Sequence, residues 1–90
     1  MYNIKYTSEA EDDLKRLSKS EPKSFAKAVK LLNELVDTPY TGTGKPHALT
    51  GDRAGQWSRR ITQKHRLVYT VNDTEIIVLV LAAYGHYNDK

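Results

Sequence analysis

Residues 56–83 read QWSRRITQKHRLVYTVNDTEIIVLVLAA, and this stretch decides the fold. Three runs rich in β-branched and aromatic residues are separated by two short polar breaks, Gln63-Lys64 and Asn72-Asp73-Thr74. Gln56–Thr62, His65–Val71 and Glu75–Ala83 therefore read as strands, and connections this short make neighbours antiparallel. The last run contains Ile76-Ile77-Val78-Leu79-Val80-Leu81, a β-branched apolar core that suits a central buried strand.

Upstream of this meander, His47-Ala48-Leu49 is a short further strand candidate. It follows Thr38-Pro39-Tyr40-Thr41-Gly42-Thr43-Gly44-Lys45-Pro46, a loop dense in turn formers. Before the loop the period changes to helical. Pro22 suits the first turn of a helix whose apolar stripe reads Phe25, Val29, Leu32 and Leu35 or Val36, with Lys19, Lys23, Lys27 and Lys30 on a solvent face. Ala10, Leu14 and Leu17 mark an earlier helix over about Glu9 to Lys19. Ser8 and Glu11 form a capping box at its start, and Glu11–Lys15 and Asp12–Arg16 are favourable i,i+4 pairs. Tyr2-Asn3-Ile4-Lys5-Tyr6 alternates as a first strand. The expected class is α+β: an N-terminal strand, two helices, then an antiparallel meander, with the helices on one face of the sheet and the other face partly open.

The 90 residues carry no internal repeat and read as one domain, 1–90. With no cysteine there is no disulfide, thiolate metal site or thiol nucleophile, and the three histidines lack ligand spacing, so neither a metal nor a cofactor is expected. The N-terminus has no apolar run of the signal-peptide kind, and no segment nears the ~20 apolar residues of a membrane helix, so a cytoplasmic protein with no membrane partner is expected. The net charge of +3 is unevenly spread. Residues 38–69 hold Lys45, Arg53, Arg59, Arg60, Lys64 and Arg66 against Asp52 alone, a local excess of five positive charges. That is either an electrostatic footprint on a polyanion or a solvated basic face.

The same half of the chain holds ingredients for RNA cleavage. RNA supplies its own nucleophile, the 2′-hydroxyl. An enzyme must add a base for that hydroxyl, cations for the charged phosphorane, and an acid for the leaving oxygen. Histidine, with an ordinary pKa of ~6.5, can take either proton role, and arginine offers a fork of donors matched to phosphate. His47 and His86 are the candidates for proton transfer, with Tyr84 and Tyr87 as aromatic partners for unstacked bases. His65, beside Arg66 in a strand, reads as a structural hydrogen-bonding residue. Trp57, Arg59 and Ile61 share one strand parity while Ser58 and Arg60 take the other, so at least one of the two arginines is structural or ion-paired. Trp57 reads as a core or subunit-contact residue.

The run Gly42-Thr43-Gly44-Lys45-Pro46, then Leu49, Gly55-Gln56-Trp57-Ser58-Arg59-Arg60-Ile61-Thr62 and His65-Arg66-Leu67-Val68-Tyr69, closely resembles the Txe/YoeB toxins of the RelE/ParE superfamily. The closing Gly85-His86-Tyr87 resembles that family's terminal His-Tyr. The resemblance implies a microbial RNase-like fold and a toxin that cleaves mRNA in the ribosomal A site. It also implies a cognate antitoxin whose C-terminal segment covers the active site, operator DNA reached only through that antitoxin, and it favours a homodimer. Residue by residue, it implies Arg66 as the phosphate-stabilising arginine, His86 as the general acid and Tyr87 as the substrate-positioning aromatic. Lys45, Arg59, Arg60 and Tyr84 are supporting RNA contacts. Two departures stand out. His47 occupies the place of the family's usual glutamate base, and Thr50 that of a common lysine; Asn88-Asp89-Lys90 also extends past the terminal Tyr. These leave a second reading, a weak or inactive relative acting mainly as a binding partner in the antitoxin–operator complex. A third, the gyrase-poisoning branch of the superfamily, lacks the terminal His-Tyr.

Overall fold

A computed structural model describes residues 1–85; the chain beyond Gly85, including His86, Tyr87 and the Asn88-Asp89-Lys90 extension, lies outside the described residues. The elements run β1 (Asn3–Tyr6), α1 (Ser8–Ser20), α2 (Pro22–Leu35), β2 (His47–Ala48), a short 3-10 turn (Gly51–Arg53), β3 (Trp57–Arg60), β4 (Arg66–Asn72) and β5 (Ile77–Ala82). They form one sheet in the order β1-β5-β4-β3-β2. Every neighbouring pair is antiparallel except β1 and β5, which are parallel. The apolar run at the C-terminal end of the meander is thereby central, flanked by the first strand and by β4. Val78 and Val80 are fully buried toward the helices, while Ile77 and Leu79 are half-buried on the opposite face.

Strand boundaries differ from those the composition suggests. β5 starts at Ile77 rather than Glu75, because Ile76 adopts φ 59° in a turn whose first bond runs from the Glu75 amide to Asn72 Oδ1 at 2.9 Å. β3 stops at Arg60, two residues before Thr62. The Thr62 hydroxyl oxygen turns inward to accept from the amides of Lys64 and His65 at 3.1 and 3.2 Å, which closes the hairpin.

The helices cover one face of the sheet. Ala10 and Leu17 of α1, and Ala28, Leu31, Leu32 and Leu35 of α2, meet Leu67, Tyr69, Val78 and Val80 in a single core. The α2 stripe is rotated from the expected one. Ser24 and Ala28 occupy its buried centre, whereas Val29 is 38% exposed and Phe25 half-buried. Small side chains at 24 and 28 let α2 approach closely. The bulkier Phe25 and Val29 are displaced to the seam with Leu14 of α1, where with Tyr6 and Leu32 they line an apolar groove of about 600 Å³. Among the described residues, no helix is long and apolar enough to cross a membrane.

The start of α1 also corrects the sequence reading. The cap is Thr7, not Ser8: its hydroxyl accepts from the Ala10 amide at 3.0 Å and donates to the Leu81 carbonyl at 2.9 Å. One side chain thus closes the helix end and ties it to β5, which Ser8, already inside the helix, does not do. A Thr7→Ala variant is expected to lose about 1–2 kcal/mol, at the upper end for a lost cap because the cross-link to β5 goes with it. Equilibrium urea unfolding checks this, and Thr7→Ser should recover most of the loss.

Candidate functional site

Residues directly opposite in neighbouring strands share a face of the sheet, and so do alternate residues within a strand. His47 stands opposite Ser58, Ser58 opposite Val68, and Arg60 opposite Arg66. His47, Arg60 and Arg66 therefore belong to the face turned away from the helices. The intervening Trp57, Arg59, Leu67 and Tyr69 point toward the helices. His47 and Arg60 are exposed and Arg66 is half-buried.

Lys45 reaches this group through the loop. The Arg60 amide donates to the Gly44 carbonyl at 2.7 Å, so the loop continues the sheet edge beside β3. Gly44 is at φ 85°, and a Cβ there would lie 2.9 Å from the Arg60 carbonyl oxygen, so only glycine permits the approach. Lys45 itself is left-handed at φ 53°, uncommon for a non-glycine residue and costly unless its surroundings impose it. Lys45, His47, Arg60 and Arg66 are thus gathered on one open edge.

The electrostatics of that edge are unbalanced. Among the described residues, no ion pair engages Lys45, Arg60 or Arg66. Like charges directly opposite across two strands repel each other, and an anion held between Arg60 and Arg66 would turn that repulsion into two attractions. Phosphate, which guanidinium groups bind in bidentate fashion, fits the position.

Arg59 is not part of this surface, which corrects its expected role as an RNA contact. It is 1% exposed and spends its donors inside the protein. Nε donates to the Tyr69 hydroxyl at 3.1 Å, and Nη1 to Glu34 Oε1 at 3.0 Å and the Thr43 carbonyl at 3.4 Å. Nη2 donates to the Thr41 carbonyl at 2.6 Å and to the Thr38 carbonyl. Tyr69 adds a bond to the Pro39 carbonyl at 2.7 Å, and Glu34 accepts from the Thr43 amide at 2.8 Å. The loop from Thr38 to Thr43 is laced to β3 and α2 by one guanidinium. Hydrogen bonds from Thr43, with the Arg59 charge behind them, hold the Glu34 carboxyl below the usual carboxylate range; burial pushes the Tyr69 phenol up. Glu34 and Tyr69 carry no chemical motif that the sequence alone could flag.

A family model of the YoeB-like toxins of bacterial type II toxin-antitoxin systems matches residues 6–87. The chain belongs to that family. It is 38% identical over 84 residues to the toxin YoeB of Streptomyces coelicolor, an alignment covering 93% of this chain and 98% of the relative. The YoeB/ParE toxin from Agrobacterium tumefaciens superposes with a TM-score of 0.88 at 35% identity, over 94% of this chain and 99% of that one. The Staphylococcus aureus YoeB, solved in a heterotetrameric complex with YefM, matches at 33% identity and a TM-score of 0.81 over 97% and 99% of the two chains; it is also known as a YoeB dimer.

In this YoeB-like toxin, Tyr84 departs from its expected place among the RNA-binding aromatics. It packs against the core on the helix side, with its ring 4.4 Å from that of His65 and the Arg16 guanidinium 4.5 Å over it. Tyr84 lies past Ala82, the last residue of β5, so its place is set by the His65 ring and the Arg16 guanidinium it packs against rather than by strand register. His65 is the structural residue its strand position suggests: 2% exposed, with Nε2 at 2.8 Å from Glu21 Oε2 and Nδ1 accepting from the Gly85 amide at 2.8 Å. Trp57 is half-buried against the core and meets Tyr40 edge-on at 5.1 Å. His86 and Tyr87 lie outside the described residues.

Proposed function

We propose that this YoeB-like toxin is an endoribonuclease that cleaves mRNA on the ribosome, in the A site, and thereby inhibits translation. The observation that carries the reading is the facing pair Arg60 and Arg66, without carboxylate partners among the described residues and on the same sheet face as His47. His47 takes the proton of a 2′-hydroxyl, and the freed oxygen attacks the adjacent phosphorus. Arg66, with Arg60 and Lys45 in support, holds the charge of the phosphorane. The bond to the 5′-oxygen breaks as His86 protonates it, leaving a 2′,3′-cyclic phosphate and a 5′-hydroxyl. Tyr87 positions the substrate. Side chains carry every proton and charge, so the cycle needs no metal.

The S. aureus relative is seen with YefM. By analogy, a cognate antitoxin covers the open basic edge of this protein, brings it to operator DNA, and a homodimer forms in its absence. Cytoplasmic location follows from the substrate. The second reading, a catalytically weak member acting mainly as an antitoxin-binding partner, is favoured by His47 and Thr50 at positions where the family commonly carries Glu and Lys.

Expression without antitoxin decides between the two readings. Growth should arrest, and mapped mRNA 5′ ends should fall inside codons being translated; tolerated expression with intact transcripts would favour the binder. An Arg66→Ala variant should cleave about 10²–10³-fold more slowly, the usual worth of a donor aimed at developing charge. Arg66→Lys should recover little, because an ammonium cannot reproduce the fork.

A further inference from the structure

Behind the basic edge, on the helix side of the sheet, lies a buried polar junction that the proposed chemistry does not use. His65 is its centre. The Gly85 amide can only donate, so Nδ1 of His65, 2.8 Å away, must be an unprotonated acceptor. Nε2 then carries the ring hydrogen and donates to Glu21 Oε2 at 2.8 Å. The ring is a neutral imidazole in one defined tautomer.

Its surroundings hold it there. The Tyr84 ring lies against it, with Arg16 of α1 over that ring. Glu21, at the junction of α1 and α2, accepts a second bond from Ser24 at 3.2 Å and has the Lys64 ammonium 3.9 Å away. The hydrogen bond from His65 is the main cause that keeps the Glu21 carboxyl below its ordinary range. Gly85 is clamped on both sides. His65 takes its N–H, while its carbonyl accepts from the backbone amide of Arg66 at 3.0 Å. With φ 77°, Gly85 turns the chain in a conformation that side-chain-bearing residues rarely adopt.

We propose that His65, seated on Glu21, is a positioning residue that fixes Gly85, held to the backbone amide of Arg66, as the point from which the chain continues to His86. The inference rests on the endoribonuclease reading, since it presumes that His86 and Arg66 act on one phosphate. The next residue after the clamped glycine is the candidate acid. The residue whose amide holds that glycine's carbonyl is the candidate phosphate clamp. A displacement of about 1 Å between such groups can cost 10²-fold in rate, so a rigid joint here has kinetic consequences without touching substrate.

Two isosteric variants separate the two ring nitrogens. In His65→Asn the amide oxygen can stand where Nδ1 stands, keeping the Gly85 bond and losing Glu21. In His65→Gln the amide nitrogen can stand where Nε2 stands, keeping Glu21 and losing the Gly85 acceptor. The expected result is that His65→Asn cleaves ribosome-bound mRNA within about threefold of the native rate. His65→Gln should lose at least tenfold in kcat with KM little changed, although the two variants melt at similar temperatures. Equal rates in both variants, or losses that simply track melting temperature, would overturn the proposal. If neither variant folds, the native protein still gives an answer. Imidazole ¹⁵N spectra should show Nδ1 unprotonated and scalar-coupled to the Gly85 amide, and absence of that coupling overturns the proposal. A native protein that cleaves no RNA would instead refute the endoribonuclease reading while leaving the coupling in place.

Discussion

A His86→Gln variant is expected to cut ribosome-bound mRNA about 10²–10⁴-fold more slowly than the native protein, the range for loss of a positioned proton donor. Expulsion of the 5′-oxygen as an alkoxide is unfavourable at neutral pH, and with His47 assigned to the base, the other basic-edge side chains, Lys45, Arg60 and Arg66, are cations suited to phosphate rather than proton donation. Binding should survive, because the phosphate contacts are theirs. The loss should therefore fall on kcat, not KM, in single-turnover cleavage of programmed ribosomes. Unchanged cleavage would remove His86 from the acid role. With His47 as base and His86 as acid, the native rate should trace a bell against pH. His47→Ala should erase its acidic limb, because that limb reports protonation of the base.

Arg59→Met should destabilise the protein by about 3 kcal/mol, although it touches no proposed substrate. Breaking a buried ion pair from one side costs about 3–5 kcal/mol, because the remaining charge is left without its partner. Glu34 retains 25% side-chain exposure and can recruit water, which places the value at the lower end. The carbonyls of Thr38, Thr41 and Thr43 and the Tyr69 hydroxyl lose donors at the same time. For a domain of this size the melting temperature should fall by roughly 12–24 °C. Arg59→Lys should recover less than half, since a single ammonium cannot span acceptors arranged around a planar fork. A change under 1 kcal/mol in Arg59→Met would show that the loop holds without its guanidinium. Glu34 sits below its ordinary value of 4.5, so its contribution to stability is fully present above that pH and fades as the pH drops through its depressed native value.

The two adjacent arginines of β3 show how far a sequence can be read. Strand parity alone sends Arg59 and Arg60 to opposite faces and so requires different fates for them. Which one is buried depends on Glu34 and Tyr69, distant in sequence by 25 and 10 residues and brought to Arg59 only by packing of α2 on the sheet. Tyr84 was misplaced for a related reason: its neighbour His86 along the chain suggested the open surface, whereas the side chains that hold its ring, His65 and Arg16, are 19 and 68 residues away. Thr7 replaced Ser8 as the cap because its hydroxyl has a second partner, Leu81, 74 residues away.

By itself, then, the sequence determined the class of the fold, the order of its elements, the central place of the apolar run near the C-terminus, and the concentration of excess positive charge in residues 38–69. These follow from local periodicity, turn chemistry and composition, each legible within a few residues. Tertiary structure decided the parallel seat of β1 beside β5, the rotation of α2, the burial of Arg59 and the convergence of Lys45, His47, Arg60 and Arg66 on one open edge. Those outcomes depend on which side chains can share a buried volume or satisfy one another's hydrogen bonds, and such partners are set by packing between elements rather than by spacing along the chain.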